Sequence, residues 1–391
     1  MQNPVTSLLR SFVDRKMAAG VSCLVTVDGQ ETTFDCCGYA DMDRQTPFRR
    51  DALLHIYSMS KLVTSAAIMT LVDSGRLALT DPVARFIPEF AGLQVCEDHN
   101  GTVSLVPARR LLTIFDLLTM TSGIPYPDAG GTPIYDAVAA CYAKLNETAA
   151  AHDRTGEPMD ALAYIRELAK CPLCFHPGER WMYGLSSDVL GAVVVAATGK
   201  SLGTYFDETL FRPLGMQDTG FRMPAEKAGR IATIYTDGPN GIMPRPRHQG
   251  FEMVDHPSVE AGGAGLISTV DDYTRFAQML MNGGVREGIR ILSEESVRQM
   301  TMNQLTAEQA ETYSLLHNAG YGYGLTLRVM MDPSKSAYRE EVGAFGWNGA
   351  TGTTVRIDPA RRLTVVFGIQ LMPPNHVEFL PALSQAVHSL L

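Results

Sequence analysis

Hydrophobic spacing near the N-terminus predicts a helix followed by a β-hairpin. Over residues 5–18, apolar side chains recur at helical spacing with charged side chains between them, which is typical of an amphipathic surface helix. Ser22–Val27 has the character of a strand, Asp28-Gly29 of a hairpin turn, and Glu31–Tyr39 of the partner strand. We therefore expect the chain to enter a sheet early.

The rest of the chain divides into a helical middle and a strand-rich end. Ser58–Leu71 is compatible with a helix throughout, and Asp73-Ser74-Gly75 provides its stop. Further helical patterns lie at Asp116–Thr119, Asp160–Ala169, Asp188–Ala197 and Asp271–Met281. Apolar–polar alternation then predicts successive antiparallel strands, and a closing helix after them, at Tyr323–Met330, Glu341–Trp347, Gly352–Ile357, Leu363–Gln370 and His376–Leu390.

Strands at both ends of the chain, with helices between them, indicate one sheet built from the two termini. The predicted fold class is α/β with a helical insertion: an antiparallel sheet flanked by helices, plus a mostly helical lobe. Residues 1–80 and 285–391 would form the sheet lobe, and residues 81–284 the helical lobe. Ligand sites tend to lie in the cleft between two such lobes.

Composition narrows the class of protein. The 391 residues are 45% hydrophobic and 19% charged, as in an ordinary globular protein. A formal net charge of -9 argues against nucleic-acid binding, which requires a concentrated basic face. The chain contains neither an apolar run of about 20 residues, as a membrane span requires, nor a signal-peptide core. We expect a cytoplasmic protein whose partner is a small molecule.

The seven cysteines are interpreted as reduced thiols, in keeping with that location. Adjacent Cys36 and Cys37 cannot bridge easily. Cys171 and Cys174 form a CxxC without a second CxxC or a suitably spaced histidine pair, which favours packing over metal binding or redox chemistry. The nine histidines are scattered, and we expect neither a metal nor an organic cofactor.

The segment Ser58-Met59-Ser60-Lys61 has the spacing of a nucleophile and its activating base. On a helix, residues three apart share a face, so the Ser58 hydroxyl and the Lys61 amine would lie within reach. A desolvated lysine with a lowered pKa can remove the serine proton. The apolar neighbours of the pair would help to keep Lys61 neutral, whereas Ser60 would face elsewhere.

A second serine motif is rejected. Gly199-Lys200-Ser201-Leu202-Gly203 matches the Gly-x-Ser-x-Gly pattern of α/β-hydrolases, but that motif requires a strand before the serine. The preceding residues are helical in pattern, so Gly199 is better explained as a helix C-cap and Ser201 as the next N-cap.

Several segments, taken in order, resemble the serine β-lactamase/penicillin-binding-protein superfamily, and specifically the class C-like branch that includes family VIII carboxylesterases. After Ser58–Lys61 these are 73–83, 117–124, 177–183 and 262–269. The resemblance implies that Tyr183 stands beside the serine–lysine pair and shares its proton as one coupled unit with Lys61. It also implies an oxyanion hole formed by the backbone N–H groups of Ser58 and Ala350.

Two departures from lactamases point towards esters. Lactamases and peptidases carry lysine or histidine where this chain has Trp347, in Trp347-Asn348-Gly349, and an indole cannot hold a substrate carboxylate as a cation does. Gly349 would let the strand backbone approach the substrate. Leu185 replaces an asparagine amide that could bind a lactam side chain. Tyr126 and Trp181 are further candidates to line the acyl site.

The sequence therefore predicts a serine carboxylesterase that forms an acyl-enzyme on Ser58, with weak β-lactam hydrolysis as a side activity. Three alternatives stay open: a β-lactamase or D-alanyl peptidase, an acyltransferase on the same scaffold, and a sensor that is acylated and stalls. The loops Thr121–Thr132 and Pro239–Pro257 are expected to shape the pocket.

Overall fold

A computed structural model describes most of the chain. The described residues are 3–127, 131–155, 160–239, 241–245, 259–314 and 319–391. Parts of the two loops expected to shape the pocket lie outside these ranges.

Sixteen strands occur within the described residues. In chain order they are β1 (Gly20–Val27), β2 (Gln30–Asp41), β3 (Thr46–Pro47), β4 (Leu54–His55), β5 (Gln94–His99), β6 (Thr102–Pro107), β7 (Tyr235–Gly238), β8 (Gly241–Pro244), β9 (Ile267–Ser268), β10 (Val285–Arg286), β11 (Ile289–Arg290), β12 (Tyr321–Tyr323), β13 (Arg328–Met330), β14 (Phe345–Asn348), β15 (Thr354–Asp358) and β16 (Leu363–Ile369).

Twelve α-helices lie between and around them in the same ranges: α1 (Pro4–Asp14), α2 (Ser60–Asp73), α3 (Ile114–Leu118), α4 (Pro133–Thr155), α5 (Ala161–Leu168), α6 (Ser186–Thr198), α7 (Leu202–Phe206), α8 (Arg212–Leu214), α9 (Val270–Met281), α10 (Glu294–Thr301), α11 (Ala307–Ser314) and α12 (His376–His388). Among the residues described, no single helix is both long and apolar enough to cross a membrane. One bent pair, Ser186–Thr198 with Leu202–Leu214, meets that test when its two arms, 80° apart, are taken together.

The two ends of the chain meet in one eight-stranded antiparallel sheet, as the strand pattern predicted. Its order is β12-β13-β14-β15-β16-β1-β2-β3. β1 lies between β16 and β2, with Val21 opposite Ile369 and Val27 opposite Leu363. Both faces of β1 and β16 are buried, because α1 and α12 cover one face while α9 covers the other. The central strands therefore consist of nearly continuous apolar residues.

The sheet differs from the prediction at one edge. Tyr323–Met330 was expected to be a single strand, and that prediction is wrong: β12 and β13 form an antiparallel pair joined by a turn. Thr326 lies in this turn with a φ of 67°, its N–H bonds to the Leu118 carbonyl, and its hydroxyl donates to the Lys61 carbonyl at 2.9 Å. These contacts with the core fix the turn. The alternation of apolar and polar residues along 323–330 gives no indication of them.

Helix α9 also packs differently from the expected division of lobes. It lies inside the range 81–284 predicted for the helical lobe, yet it packs against β1, β15 and β16. Just before it, β9 pairs with β4, the short strand that precedes Ser58, in a separate two-stranded sheet. The helical insertion therefore ends earlier than residue 284.

The expectation of wholly reduced thiols is wrong. Cys141, on α4, and Cys171, just after α5, are joined as a disulfide with their Cα atoms 5.7 Å apart. Cys174, the other cysteine of the CxxC, is buried and free, in agreement with the packing role predicted for it. The pairing depends on how α4 and α5 lie together, which the spacing of the cysteines does not reveal. The cysteines therefore no longer support the expected cytoplasmic location.

The contact between α1 and α12 gives the first prediction. Phe12 is 1% exposed, and its ring centroid lies 4.6 Å from that of Phe379. We expect Phe12→Ala to reduce the free energy of unfolding by about 3–5 kcal/mol, because it leaves a cavity between both terminal helices and the sheet. Urea unfolding followed by circular dichroism measures this change. Val377→Ala, at a side chain that is 88% exposed on α12, is the matched control and should stay within about 0.5 kcal/mol of the parent; equal losses for both variants would contradict the packing described.

Candidate active site

Ser58 sits in a tight turn that opens the central helix. Tyr57–Met59 forms a 3-10 turn that runs directly into α2, and Tyr57 adopts a φ of 42° in the left-handed region. Such a conformation is unfavourable for a residue with a Cβ, so it persists only where the surrounding structure fixes it. Ser58 keeps 9% of its surface exposed. The fold thus holds the serine rigidly at the start of a buried helix.

Lys61 is completely buried one turn further along α2, and its amine has three hydrogen-bond acceptors. Its Nζ donates to the Gly263 carbonyl at 2.6 Å, to the Tyr126 hydroxyl at 2.9 Å and to Ser58 Oγ at 3.2 Å. An ammonium group has three N–H donors, so this arrangement satisfies each of them. The predicted contact between Ser58 and Lys61 is therefore present. Ser60 faces away and accepts a hydrogen bond from the Leu266 N–H, as expected.

The charge of Lys61 differs from the expectation. Burial by itself lowers the pKa of Lys61, but Tyr126, Tyr183 and Asp188 outweigh it, so the pKa lies above the ordinary lysine value. This direction favours the ammonium form of Lys61, the opposite of the neutral lysine expected from the sequence. Apolar neighbours in the sequence indicated desolvation correctly, but the polar groups that reverse its effect come from distant segments.

Tyr126 is the residue whose role the sequence reasoning underestimated. Its hydroxyl accepts the Lys61 hydrogen bond, and its ring packs edge-on against Tyr183 at 5.4 Å between centroids. Burial raises the pKa of the Tyr126 phenol, and the Lys61 ammonium only partly offsets that rise. Tyr126 was proposed as a lining residue of the acyl site; the structure brings its oxygen to the same amine as Ser58. The Ile124-Pro125-Tyr126 segment offers no sequence signal for this contact.

Tyr183 lies beside the pair, but it presents its ring to Lys61. The Lys61 Nζ is 4.8 Å from the centroid of the Tyr183 ring, a cation–π distance. The Tyr183 hydroxyl instead accepts a hydrogen bond from Trp347 Nε1 at 2.9 Å. Gly184 leaves no room for a Cβ against the Ile124 carbonyl, which explains how Tyr183 and Tyr126 come to be neighbours. The structure thus brings Tyr183 and Trp347 together with the serine–lysine pair.

Asp188 is a further charged group at the site that the sequence reasoning missed. It lies in the first turn of α6 and accepts a hydrogen bond from the Gly263 N–H at 3.0 Å. The carbonyl of the same glycine accepts the Lys61 hydrogen bond. Burial raises the pKa of Asp188, whereas Lys61 and the Gly263 N–H act to lower it. Its position in the sequence, five residues after Tyr183, indicates only the start of a helix.

The end of β14 lies against the segment that carries Ser58. A Cβ on Gly349 would be 2.5 Å from the Ile56 carbonyl oxygen, and Thr351 donates to the His55 carbonyl at 3.0 Å. Gly349 therefore allows a close backbone approach to the chain just before the serine, and the expected approach to the substrate stays a prediction. Ala350 is exposed in the turn between these two contacts.

Two predicted pocket residues lie deeper than expected. Trp181 is 4% exposed and stacks behind Tyr183, with 6.0 Å between ring centroids and 11° between planes. Leu185 is 3% exposed and forms part of the core at the start of α6. Both therefore support the site from within. The rejected serine motif is also explained: Gly199 caps α6 in a left-handed conformation, and Ser201 caps α7.

Comparison with known proteins identifies the family. A sequence model described as Beta-lactamase matches residues 5–388. The chain belongs to the Beta-lactamase family. The resemblance inferred from Ser58–Lys61 and the segments that follow it is thereby confirmed.

Relatives within the Beta-lactamase family include an esterase. The chain is 37% identical over 379 residues to an uncharacterised protein of Mycobacterium tuberculosis (strain CDC 1551 / Oshkosh), covering 95% of this chain and 90% of that protein. It is 32% identical over 347 residues to Esterase EstB of Burkholderia gladioli, covering 84% and 80%. The chain is accordingly a serine hydrolase.

A solved structure confirms the β-lactamase-like fold. It is described as EstCE1, a hydrolase with promiscuous acyltransferase activity, and it superposes with a TM-score of 0.80 at 23% identity. The superposition covers 98% of this chain and 97% of that one. The fold class predicted from the strand and helix pattern is therefore correct.

The close approach at Gly349 gives a prediction for the site. Because an alanine Cβ would clash with Thr353 Oγ1 and lie 2.5 Å from the Ile56 carbonyl oxygen, Gly349→Ala should displace the turn that carries Ala350. We expect covalent labelling by a fluorophosphonate probe, which reacts with activated serines, to slow by at least about tenfold. The labelling rate is read by intact mass. Gly229→Ala is the control, because nothing lies within 4 Å of its added Cβ; a Gly349→Ala rate equal to that of this control would show that the close approach does not matter.

Proposed function

We propose that the protein is a carboxylesterase that hydrolyses small carboxylic esters through an acyl-enzyme on Ser58. The observation that carries the proposal is the buried Lys61 amine 3.2 Å from Ser58 Oγ, with the Tyr126 hydroxyl on the same nitrogen. A serine in such a contact has a path for its proton at the moment of attack. No metal or organic cofactor is needed for this chemistry.

The proposed reaction has two halves. In the first, the Lys61–tyrosine unit has already released one proton to solvent; Ser58 Oγ attacks the ester carbonyl, its own proton passes to that unit, and the backbone N–H groups of Ser58 and Ala350 hold the oxyanion. The C–O bond then breaks, and the departing alcohol takes the proton back from the same unit. In the second half, water attacks the acyl-enzyme by the reverse proton route and releases the acid.

Two tyrosines are candidates for the final proton carrier. The Tyr126 hydroxyl accepts a hydrogen bond from Lys61. The Tyr183 hydroxyl accepts one from Trp347, and the Tyr183 ring makes a cation–π contact with Lys61. A shared proton among closely coupled groups belongs to the unit as a whole. We assign the proton to Lys61, Tyr126 and Tyr183 together, with Tyr126 added to the pair predicted from the sequence.

Trp347 supports an ester in preference to a lactam or a D-alanyl peptide. It is held by its bond to Tyr183 with 9% of its surface exposed, and it offers apolar area instead of a positive charge at the end of β14. An uncharged aromatic surface such as the Trp347 indole suits an uncharged ester. Similarity to Esterase EstB of Burkholderia gladioli supports the same conclusion.

Acyl transfer is the second candidate function. The similar fold of EstCE1, itself described as a hydrolase with promiscuous acyltransferase activity, favours it. The same acyl-enzyme would be intercepted by an alcohol or amine instead of water. A new ester or amide detected by mass spectrometry after adding such acceptors distinguishes this outcome from hydrolysis alone.

The proposed function predicts a defined order of substrates. Wild-type protein should hydrolyse p-nitrophenyl acetate or butyrate with a higher kcat/KM than nitrocefin or a D-alanyl-D-alanine peptide. Ser58→Ala should reduce ester turnover by at least about a thousandfold without unfolding, since it removes the nucleophile. Ser60→Ala is the matched control, because Ser60 faces Leu266. Faster turnover of nitrocefin or the peptide would reject the ester assignment, and near-normal turnover by Ser58→Ala would reject the mechanism.

The charge state of Lys61 predicts the pH dependence. The pKa values of Lys61 and Tyr126 both lie above their ordinary values, so the unit holds both protons at neutral pH and must lose one to accept that of Ser58. We expect kcat/KM for the nitrophenyl ester to rise with pH from about 6 to about 9.

Removing the Tyr126 hydroxyl tests the same coupling. Tyr126 raises the Lys61 pKa, so Tyr126→Phe should shift the rise in kcat/KM to lower pH while reducing its maximum. Tyr39→Phe, at an exposed tyrosine, should leave the profile unchanged. A profile for Tyr126→Phe that overlays the wild type in both position and height would contradict the coupling.

A further inference from the structure

Asn348, the residue between Trp347 and Gly349, is anchored by three donors on one oxygen. Its Oδ1 accepts hydrogen bonds from Thr354 Oγ1 at 2.6 Å, Arg328 Nη2 at 2.9 Å and Arg356 Nη1 at 3.1 Å. The sheet register explains this convergence. Arg328 pairs with Gly346, and Gly346 with Arg356, so the two arginines share a face of the sheet with only a glycine between them. Asn348 lies two residues further along the same face.

Arg328 is the more deeply buried of the two arginines. It is 6% exposed, and its guanidinium carbon lies 5.2, 5.8 and 5.9 Å from the ring centroids of Tyr321, Tyr338 and Trp347. Arg356 is held separately by an ion pair with Glu340 at 2.9 Å. The aromatic rings stabilise the Arg328 cation and fix its plane. Its hydrogen bond therefore has a defined direction, onto Asn348.

The residues on either side of Asn348 belong to the site. On one side, Trp347 donates its indole N–H to the Tyr183 hydroxyl at 2.9 Å. On the other side, Gly349 contacts the Ile56 carbonyl and leads into the turn of Ala350. A displacement of Asn348 would move the Trp347–Tyr183 contact and the Ala350 turn together.

We infer that Arg328 is a positioning residue of the active site: through Asn348 it fixes the Trp347 indole on Tyr183 and the turn that carries Ala350. It touches neither substrate nor the reacting atoms, and the inference rests on the proposed ester hydrolysis only for its kinetic readout. Displacements of about 1 Å at catalytic groups reduce rates by up to about a hundredfold.

Substitution of Arg328 tests this inference. Arg328→Gln should lower kcat for p-nitrophenyl butyrate by about tenfold to a hundredfold while KM changes by less than about twofold, since positioning acts on the reacting groups. Arg328→Lys, which keeps a charged donor, should recover part of the loss. Arg339→Gln, at an exposed arginine before Glu340, is the control and should leave kcat unchanged. An Arg328→Gln variant with wild-type kcat, or one changed only in KM, would overturn the inference.

Tryptophan fluorescence gives a readout that does not depend on activity. The chain has two tryptophans, and Trp347→Phe assigns the emission of Trp347. Arg328→Gln should shift that emission to longer wavelength, because the indole loses its fixed contact with Tyr183. Unchanged emission in a folded Arg328→Gln variant would overturn the inference.

A double-mutant cycle tests whether Arg328 acts through Asn348. Asn348→Ala should reproduce most of the kcat loss, and adding Arg328→Gln to it should lower kcat by less than about a further twofold. Fully multiplicative losses would overturn the route through Asn348. If wild-type protein hydrolyses no ester, the proposed function fails, whereas the rate of Ser58 labelling by a fluorophosphonate and the tryptophan emission still decide the role of Arg328.

Discussion

The structure depends on a lysine amine that is completely buried and has an acceptor for each of its three N–H donors. Removing an ammonium group from water is unfavourable by several kcal/mol unless its donors are satisfied and negative or aromatic groups surround it. Lys61 obtains its acceptors from three separate parts of the chain: Ser58 in the turn that opens α2, Tyr126 in the loop after α3, and the Gly263 carbonyl before β9. The helical insertion must bring Tyr126 and Gly263 back to α2 before Lys61 has all its acceptors, so the lobes and the site form together.

The glycines around the amine make this arrangement possible. Gly262 and Gly263 approach α6 so closely that an added Cβ would lie 2.6 Å from the Ser187 carbonyl and 2.5 Å from Asp188. Because of this close contact, the Gly263 carbonyl accepts the hydrogen bond from Lys61, and the Gly263 N–H donates to Asp188. The glycine-rich segment that contributed to the family resemblance is therefore explained by backbone packing against two helices.

Much of the fold follows from short-range pattern, because β1, β16 and α2 are buried on all sides and have strongly apolar sequences. The Ser58–Lys61 contact was also predictable, since three residues of helix fix it. What could not be predicted comes from long-range contacts: the Thr326 turn that splits one predicted strand, the Cys141–Cys171 disulfide, and the Tyr126 oxygen on Lys61. The rise in the Lys61 pKa has the same origin, because the local sequence indicates desolvation but not the distant groups that oppose its effect.

The position of β1 between β2 and β16 has a consequence for synthesis in the cell. A ribosome releases residues 20–27 long before residues 363–369, yet the central strand of the sheet is completed only by the second set. Until then one edge of β1 is open, and the apolar face that α12 later covers is bare. Contacts between segments so distant in sequence form slowly, and open strand edges are prone to association. Until residues 363–369 have been added, the nascent chain is therefore open to association along this edge of β1, although Lys61, Tyr126 and Gly263 are already available to the site of Ser58.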